Sequence, residues 1–178
     1  MACDLTLGRK EPCKDVVGGI KNVYFTDFGD FGTVTLTDDE ITDMSGTFTA
    51  FKYEVKGNSS LEQTVNASRE NGTVFYEQTV NAVFFKLQSS TRNQVKVLAQ
   101  NPDLKMIVET NNGSVDGVGR YWLLGEDRGM QLLSGTGATG TAFGDLNGYT
   151  LTFTGQEPNP ASEISGSLSG SLSGITLG

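Results

Sequence analysis

Apolar and polar residues alternate with a period of two along most of this chain. In "GTVTLT", Val34 and Leu36 alternate with threonines. In "GTFTAFKYEV", Phe51, Tyr53 and Val55 share one parity. In "NGYTLTFTGQ", Tyr149, Leu151 and Phe153 fall on one face and Thr150, Thr152 and Thr154 on the other. Side chains that alternate in this way mark half-buried β-strands. The segments "IKNVYFT", "LKMIVET", "GRYWLLG" and "GMQLLSG" add further strands. The period changes once, in "SSTRNQVKVLAQNP", where Val95, Leu98 and Ala99 share a helical face. Thr91-x-x-Gln94 reads as a capping box at its start and Asn101-Pro102 as its stop. Short strands, Gly-rich turns and one helix predict a mainly β chain, a β-sandwich or barrel with one flanking α-helix.

A long β-hairpin arm is predicted over residues 60–87. The letters EQTVNA occur at Glu62–Ala67 and again at Glu77–Ala82, on either side of Asn71-Gly72. Asn-Gly favours a tight turn because both residues tolerate positive φ. Folding about it so that paired numbers sum to 143 sets Leu61 against Ala82 and Val65 against Gln78. One face then carries Leu61, Val65, Tyr76 and Val80. The other carries Glu62, Thr64, Asn66, Glu77, Thr79 and Asn81. A slip of one residue would mix these faces, so the register is expected near this one. A coincidental repeat of six common letters would leave the alternation intact. Arms of about a dozen residues reach roughly 40 Å, about the width of a domain of this size. Such an arm crosses the body or projects beyond it, and a projecting two-stranded arm needs a neighbour.

The chain has 178 residues, enough for one domain with a real core. Its net charge of −8 argues against wrapping nucleic acid, which needs clustered Lys and Arg. No stretch is apolar enough to span a membrane, and "MACDLTLGRKEPCKD" lacks the apolar core of a signal peptide. Assembly in a cytoplasm is therefore expected. Cys3 and Cys13 fit no metal spacing; reduced thiols are the default and a disulfide the alternative. With no histidine, Ser-His and Cys-His nucleophiles and imidazole metal sites are excluded. "DFGD" at Asp27–Asp30 lacks the companion motifs of a kinase. "GTGATG" at Gly135–Gly140 has the G-x-G-x-x-G spacing but precedes turn and strand, so its glycines read as packing positions. Asp38-Asp39-Glu40 reads as a solvated turn rather than a calcium loop. The carboxylate pairs of glycoside hydrolysis are set by spacing in three dimensions, and no sequence signal marks one. The expectation is a non-enzyme with no cofactor or metal.

The stretch "SEISGSLSGSLSGITLG" has a flexible-linker composition, yet Leu168, Leu172, Ile175 and Leu177 recur as apolar anchors. Two arrangements fit this pattern. The segment docks on a neighbouring subunit through Leu168 and Leu172, or it packs on its own. The first sets a single β-rich domain over residues 1–161 apart from a C-terminal extension over 162–178.

Three segments carry a resemblance. "FYEQTVNAVFFKLQSSTRNQVKVLAQ", "GTAFGDLNGYTLTFTGQEPNPA" and "LGRKEPCKDVVGGIKNVYF" are similar to structural proteins of tailed bacteriophages. By architecture the chain most resembles their major tail tube proteins; the Ser-Gly-Ser-Leu segment departs from that pattern. The resemblance implies a virion protein of the tail, assembled in the host cytoplasm. Its subunits form rings, usually of six, that stack into a hollow tube for DNA ejection. The implied partners are further copies of itself, other tail proteins, and passing DNA that is not specifically bound. On this reading Glu62, Thr64, Asn66, Glu77, Thr79 and Asn81 face the channel. Leu61, Val65, Tyr76, Val80, Leu168 and Leu172 meet other subunits. The alternatives are another virion part (a head decoration, a baseplate ring or a secretion-type inner tube) and a carbohydrate-binding β-sandwich module built on Trp122 and the tyrosines.

Overall fold

The computed structural model describes residues 8, 9, 11, 14, 16–55, 57–112, 120–168, 172 and 174–178; Cys3 and Cys13 lie outside them. The protein is mainly β. An eight-stranded sheet takes, in spatial order, β12 (Ile175–Leu177), β4 (Phe48–Glu54), β1 (Ile20–Asp27), β7 (Leu104–Thr110), β8 (Tyr121–Leu124), β11 (Ser162–Ile164), β3 (Glu40–Met44) and β2 (Val34–Thr37). A four-stranded sheet takes β5 (Ser60–Ser68), β6 (Thr73–Phe85), β10 (Gly148–Glu157) and β9 (Gln131–Ala138). The small sheet is antiparallel throughout. In the large one only β11–β3 and β12–β4 are parallel. Helix α1 (Ser89–Gln100) connects β6 to β7.

The large sheet curls, and its central strands β1, β7 and β8 are buried on both faces. Toward the small sheet it presents Val23 and Phe25 of β1 and Met106 and Val108 of β7, which meet Val80, Ala82, Leu151, Phe153 and the helical Leu98. On the other face Tyr24, Ile107 and Leu123 meet Ile41, Met44, Phe48 and Ile164. Strands covered on both sides read as continuous apolar runs rather than alternations, which accounts for "VYF" in β1 and "MIV" in β7.

A buried carboxylate lies inside the curl. Glu109 is 3% exposed. Its Oε2 accepts from Asn22 Nδ2 at 2.5 Å and from the Tyr24 hydroxyl at 3.2 Å. Its Oε1 accepts from Arg120 Nη2 at 3.0 Å and the Tyr121 hydroxyl at 3.4 Å, with Lys21 Nζ 3.6 Å away. Burial pushes the carboxyl pKa up, but hydrogen bonds from Asn22 and Arg120 and the Lys21 charge together hold it below the ordinary value.

Three expectations need correcting. The hairpin pairs with numbers summing to 141, not 143, so Leu61 faces Val80 and Val65 faces Tyr76. The turn spans four residues, 69–72, with only Gly72 at positive φ (63°), and a two-residue Asn-Gly turn is not formed. An even shift leaves every side chain on its expected face. The helix begins two residues before Thr91, at Ser89, with Gln88 as its N-cap and no side-chain cap bond, so the capping box is not made. Finally, the described residues of 162–178 do not stand apart from the body. They supply β11 between β8 and β3, and β12 on the free side of β4. Asp38 and Asp39, both at positive φ, form the turn into β3, a strand that the alternation did not reveal.

Candidate functional site

The small sheet has one face in the core and one toward solvent. Val80, Ala82, Leu151 and Phe153 are buried, so alternation turns their strand neighbours outward. The register arranges these neighbours in rows. Glu62, Thr79, Thr154 and Gln131 form one row across all four strands, and Ser60, Asn81, Thr152 and Ser134 form the next. A third row sets Thr64 beside Glu77 and Gln156. All six residues expected on one polar face, Glu62, Thr64, Asn66, Glu77, Thr79 and Asn81, are brought together there. β9 and β10 extend that face with Ser134, Thr136, Thr150, Thr152 and Thr154; the alternation grouped the three β10 threonines on one face but did not join that face to the hairpin's.

The face is polar and sparsely charged. The Thr152 hydroxyl donates to Asn81 Oδ1 at 2.8 Å, and Thr154 Oγ1, though buried, has no hydrogen-bond partner. Glu62 and Glu77 are the only charged residues at the outward positions of the four strands, and no Lys or Arg occupies one. Phe75, Val83 and Phe85 interrupt the pattern on β6, where Phe85 is exposed. β5 and β9 form the two lateral edges, and among the described residues neither has a partner strand on its outer side.

The core face carries polar side chains that position turns. Gln78 is buried opposite Gly155, and its Oε1 accepts from the Gly125 N–H at 3.0 Å. Glu157, also buried, accepts from the N–H groups of Asp127 and Arg128 at 3.0 and 2.8 Å. Gln63 Oε1 accepts from the Ala161 N–H at 2.9 Å and ties the arm to the chain beyond β10. Their partners lie 29 to 98 residues away along the chain, a relation that no local pattern signals. Gly135 and Gly137 sit inside β9. A Cβ on Gly135 would come within 2.6 Å of Leu151 Cδ2, and one on Gly137 within 3.0 Å of the Tyr149 ring. These are packing glycines.

The six apolar residues expected at subunit contacts separate into two groups. Val65 is 60% exposed and Tyr76 half-buried; with Ala67 and Val74 they form an apolar patch on the arm where it passes the end of β10. Leu61 is half-buried against the core, and Val80, facing Phe153, is fully buried in it. Leu168 and Leu172 are each 3% exposed and fill the inside of the curled sheet, where the short strands leave space. Val80, Leu168 and Leu172 are thus core residues of this chain, not contacts with a neighbour.

Among the described residues no group of three His, Cys, Asp or Glu side chains is placed to hold a metal, and no helix is long and apolar enough to cross a membrane. No protein-family model matches this chain, and no curated protein or solved structure is significantly similar to it.

Proposed function

We propose that this chain is a tube subunit of the tail-tube type, a sandwich-like β domain whose four-stranded sheet joins those of neighbouring copies around a channel. The observation that carries this reading is a sheet whose two lateral edges are free among the described residues and whose outward face has no basic residue. In the order β5–β6–β10–β9 successive strands alternate in direction, so β5 and β9 run oppositely. When copies turn about a common axis, β5 of one meets β9 of the next in the antiparallel sense, and the barrel closes with no mismatched pair. Closure also removes the exposed edges. A ring of about six copies would carry roughly 24 strands, giving about 35–50 Å between opposite backbones depending on strand tilt. After side chains are allowed for, a DNA duplex roughly 20 Å across passes. A wall of Thr, Asn, Ser, Gln and two Glu, interrupted by Phe75, Val83 and Phe85, offers phosphates no cation, so DNA slides past without adhering.

A carbohydrate platform draws less support, because Trp122 is half-buried against the core rather than presented to solvent. Hydrogen exchange at low and high protein concentration tests the edge pairing. Amides of residues 60–68 and 131–138 are expected to gain protection together as the protein assembles. β2, one edge of the other sheet, is expected to stay unchanged. Protection appearing at β2 alone, or at neither edge of the small sheet, contradicts the proposal.

A further inference from the structure

Helix α1 is thinly covered by its own chain. Of its twelve residues only Leu98 is buried, and Val97 is 63% exposed. Asn93, Gln94, Val97, Leu98 and the C-cap Asn101 recur at helical spacing and form one stripe. That stripe is one wall of an open cleft of about 360 Å³. β1 and β4 supply the facing wall with Phe25, Phe51 and Tyr53. The rings are braced within the fold. Tyr53 meets Phe25 edge-on, with centroids 4.9 Å apart, and Phe84 at 5.7 Å. Phe51, at the mouth, is 52% exposed. Apolar walls with a few polar groups, enclosing a volume of this size, have the form of a small-molecule site.

The polar groups set the sign of the ligand. Asp27 is the only charged residue lining the cleft. It ends β1 and sits beside Asn101, where α1 stops. Its Oδ1 accepts from Asn101 Nδ2 at 3.1 Å, and among the described residues no lysine or arginine forms an ion pair with it. Lys105 is engaged elsewhere, with its Nζ over the rings of Phe28 and Phe31. The last carbonyls of a helix carry partial negative charge and favour a cation at that end. The whole chain, at −8, adds a long-range attraction of the same sense.

We propose that this cleft binds a small organic ammonium ion, with the cationic head beside Asp27 and the apolar body between Phe51, Tyr53 and Val97. Burial of apolar surface holds the body, and a charge-assisted hydrogen bond to Asp27 holds the head. A neutral head would gain the walls alone. An anionic head would meet a carboxylate and the negative end of α1. The inference goes beyond the tube reading and does not depend on it, since none of the lining residues belongs to the small sheet. It gives a place to the first acid of "DFGD", for which the tube reading has no use.

Calorimetric titration of the full chain with three probes of matched body tests the proposal: phenylbutylamine, phenylbutanol and phenylbutyrate. The amine should bind about tenfold more tightly than the alcohol, the scale of one hydrogen bond to a charged group, and the acid more weakly still. Asp27→Asn keeps an acceptor for Asn101. It should bring the amine down to the affinity of the alcohol and leave the alcohol unchanged. Phe51→Ala removes part of the wall and should weaken amine and alcohol alike. Val97→Trp, at an exposed position, should fill the cleft and abolish binding of both at an unchanged melting temperature. No saturable binding of the amine, equal binding of amine and acid, or an Asp27→Asn chain that still prefers the amine overturns the proposal. Amine binding that survives in Val97→Trp would put the site elsewhere and overturn it too.

Discussion

Glu109 is the buried charge on which one end of the curled sheet depends. Replacing it with Ala would strand the Asn22 amide, two tyrosine hydroxyls and Arg120, and breaking a buried pair of this sort costs about 3–5 kcal/mol. Arg120 and Lys21 stay partly solvated, so the lower end of that range is expected. Glu109→Gln keeps an acceptor and should cost about 1–3 kcal/mol. The pH dependence has a definite sign. A carboxyl held below its ordinary value in the folded protein contributes its full stabilisation above the unfolded value of 4.5, and this is lost as pH falls through the folded value. Thermal melts should show the wild type losing stability below about pH 4.5 more steeply than Glu109→Gln; parallel acid limbs would show that Glu109 carries no such linkage. None of this is visible in "LKMIVET", where the glutamate reads as a strand-end polar residue. Its partners at Asn22, Tyr24 and Arg120 come together only through β1–β7 pairing and the chain's return beside β8.

At the scale of elements, strands with strict alternation were legible and strands defined by distant partners were not. β10 begins one residue before the clean part of its alternation and ends three after it, and the faces of the hairpin are as expected although its turn is longer. Side-chain period fixes the face, whereas the turn fixes the register, and a four-residue turn shifts the pairing by two. β11 and β12 are three residues each, too short to show a period, and exist because β8, β3 and β4 offer edges. The Gly/Ser composition around them reads as linker because the anchors, Leu168 and Leu172, sit four residues apart with no local pattern. Their burial reverses the expectation for the tail. Leu168→Ala should destabilise the subunit by about 2–5 kcal/mol, as for other large-to-small core changes, and lower the urea midpoint. An unchanged midpoint would mean that the segment is not part of the core. The arm behaves oppositely. Replacing Ala67–Val74 by Asn-Gly leaves Asn66 and Phe75 flanking a two-residue turn and removes the part of the arm that passes β10. The melting temperature should fall by only a few degrees, since Val80 and its neighbours remain. Sedimentation should show assembly lost. Collapse of the fold in circular dichroism would instead make the tip part of the core.

The whole molecule combines an acidic balance with a small sheet that faces solvent over hydroxyls and amides. The net charge is −8, and the outward face of the small sheet contributes two of the acids and none of the bases. If that face lines a channel, Glu62→Lys with Glu77→Lys converts a non-adhesive wall into one that holds phosphates. Assembled double-variant protein should retain duplex DNA at low salt and release it as salt rises, whereas the wild type retains none at either. Fold stability should change by under about 0.5 kcal/mol per site, as for other surface positions. The central claim is about architecture, and cryo-electron microscopy of the concentrated protein tests it most directly. The account predicts cyclic rings that stack, with β5 of each copy beside β9 of the next and Glu62, Thr79 and Thr152 on the lumen wall. Two-fold dimers, particles that stay monomeric at every concentration, or a ring whose lumen is lined by the eight-stranded sheet would contradict it.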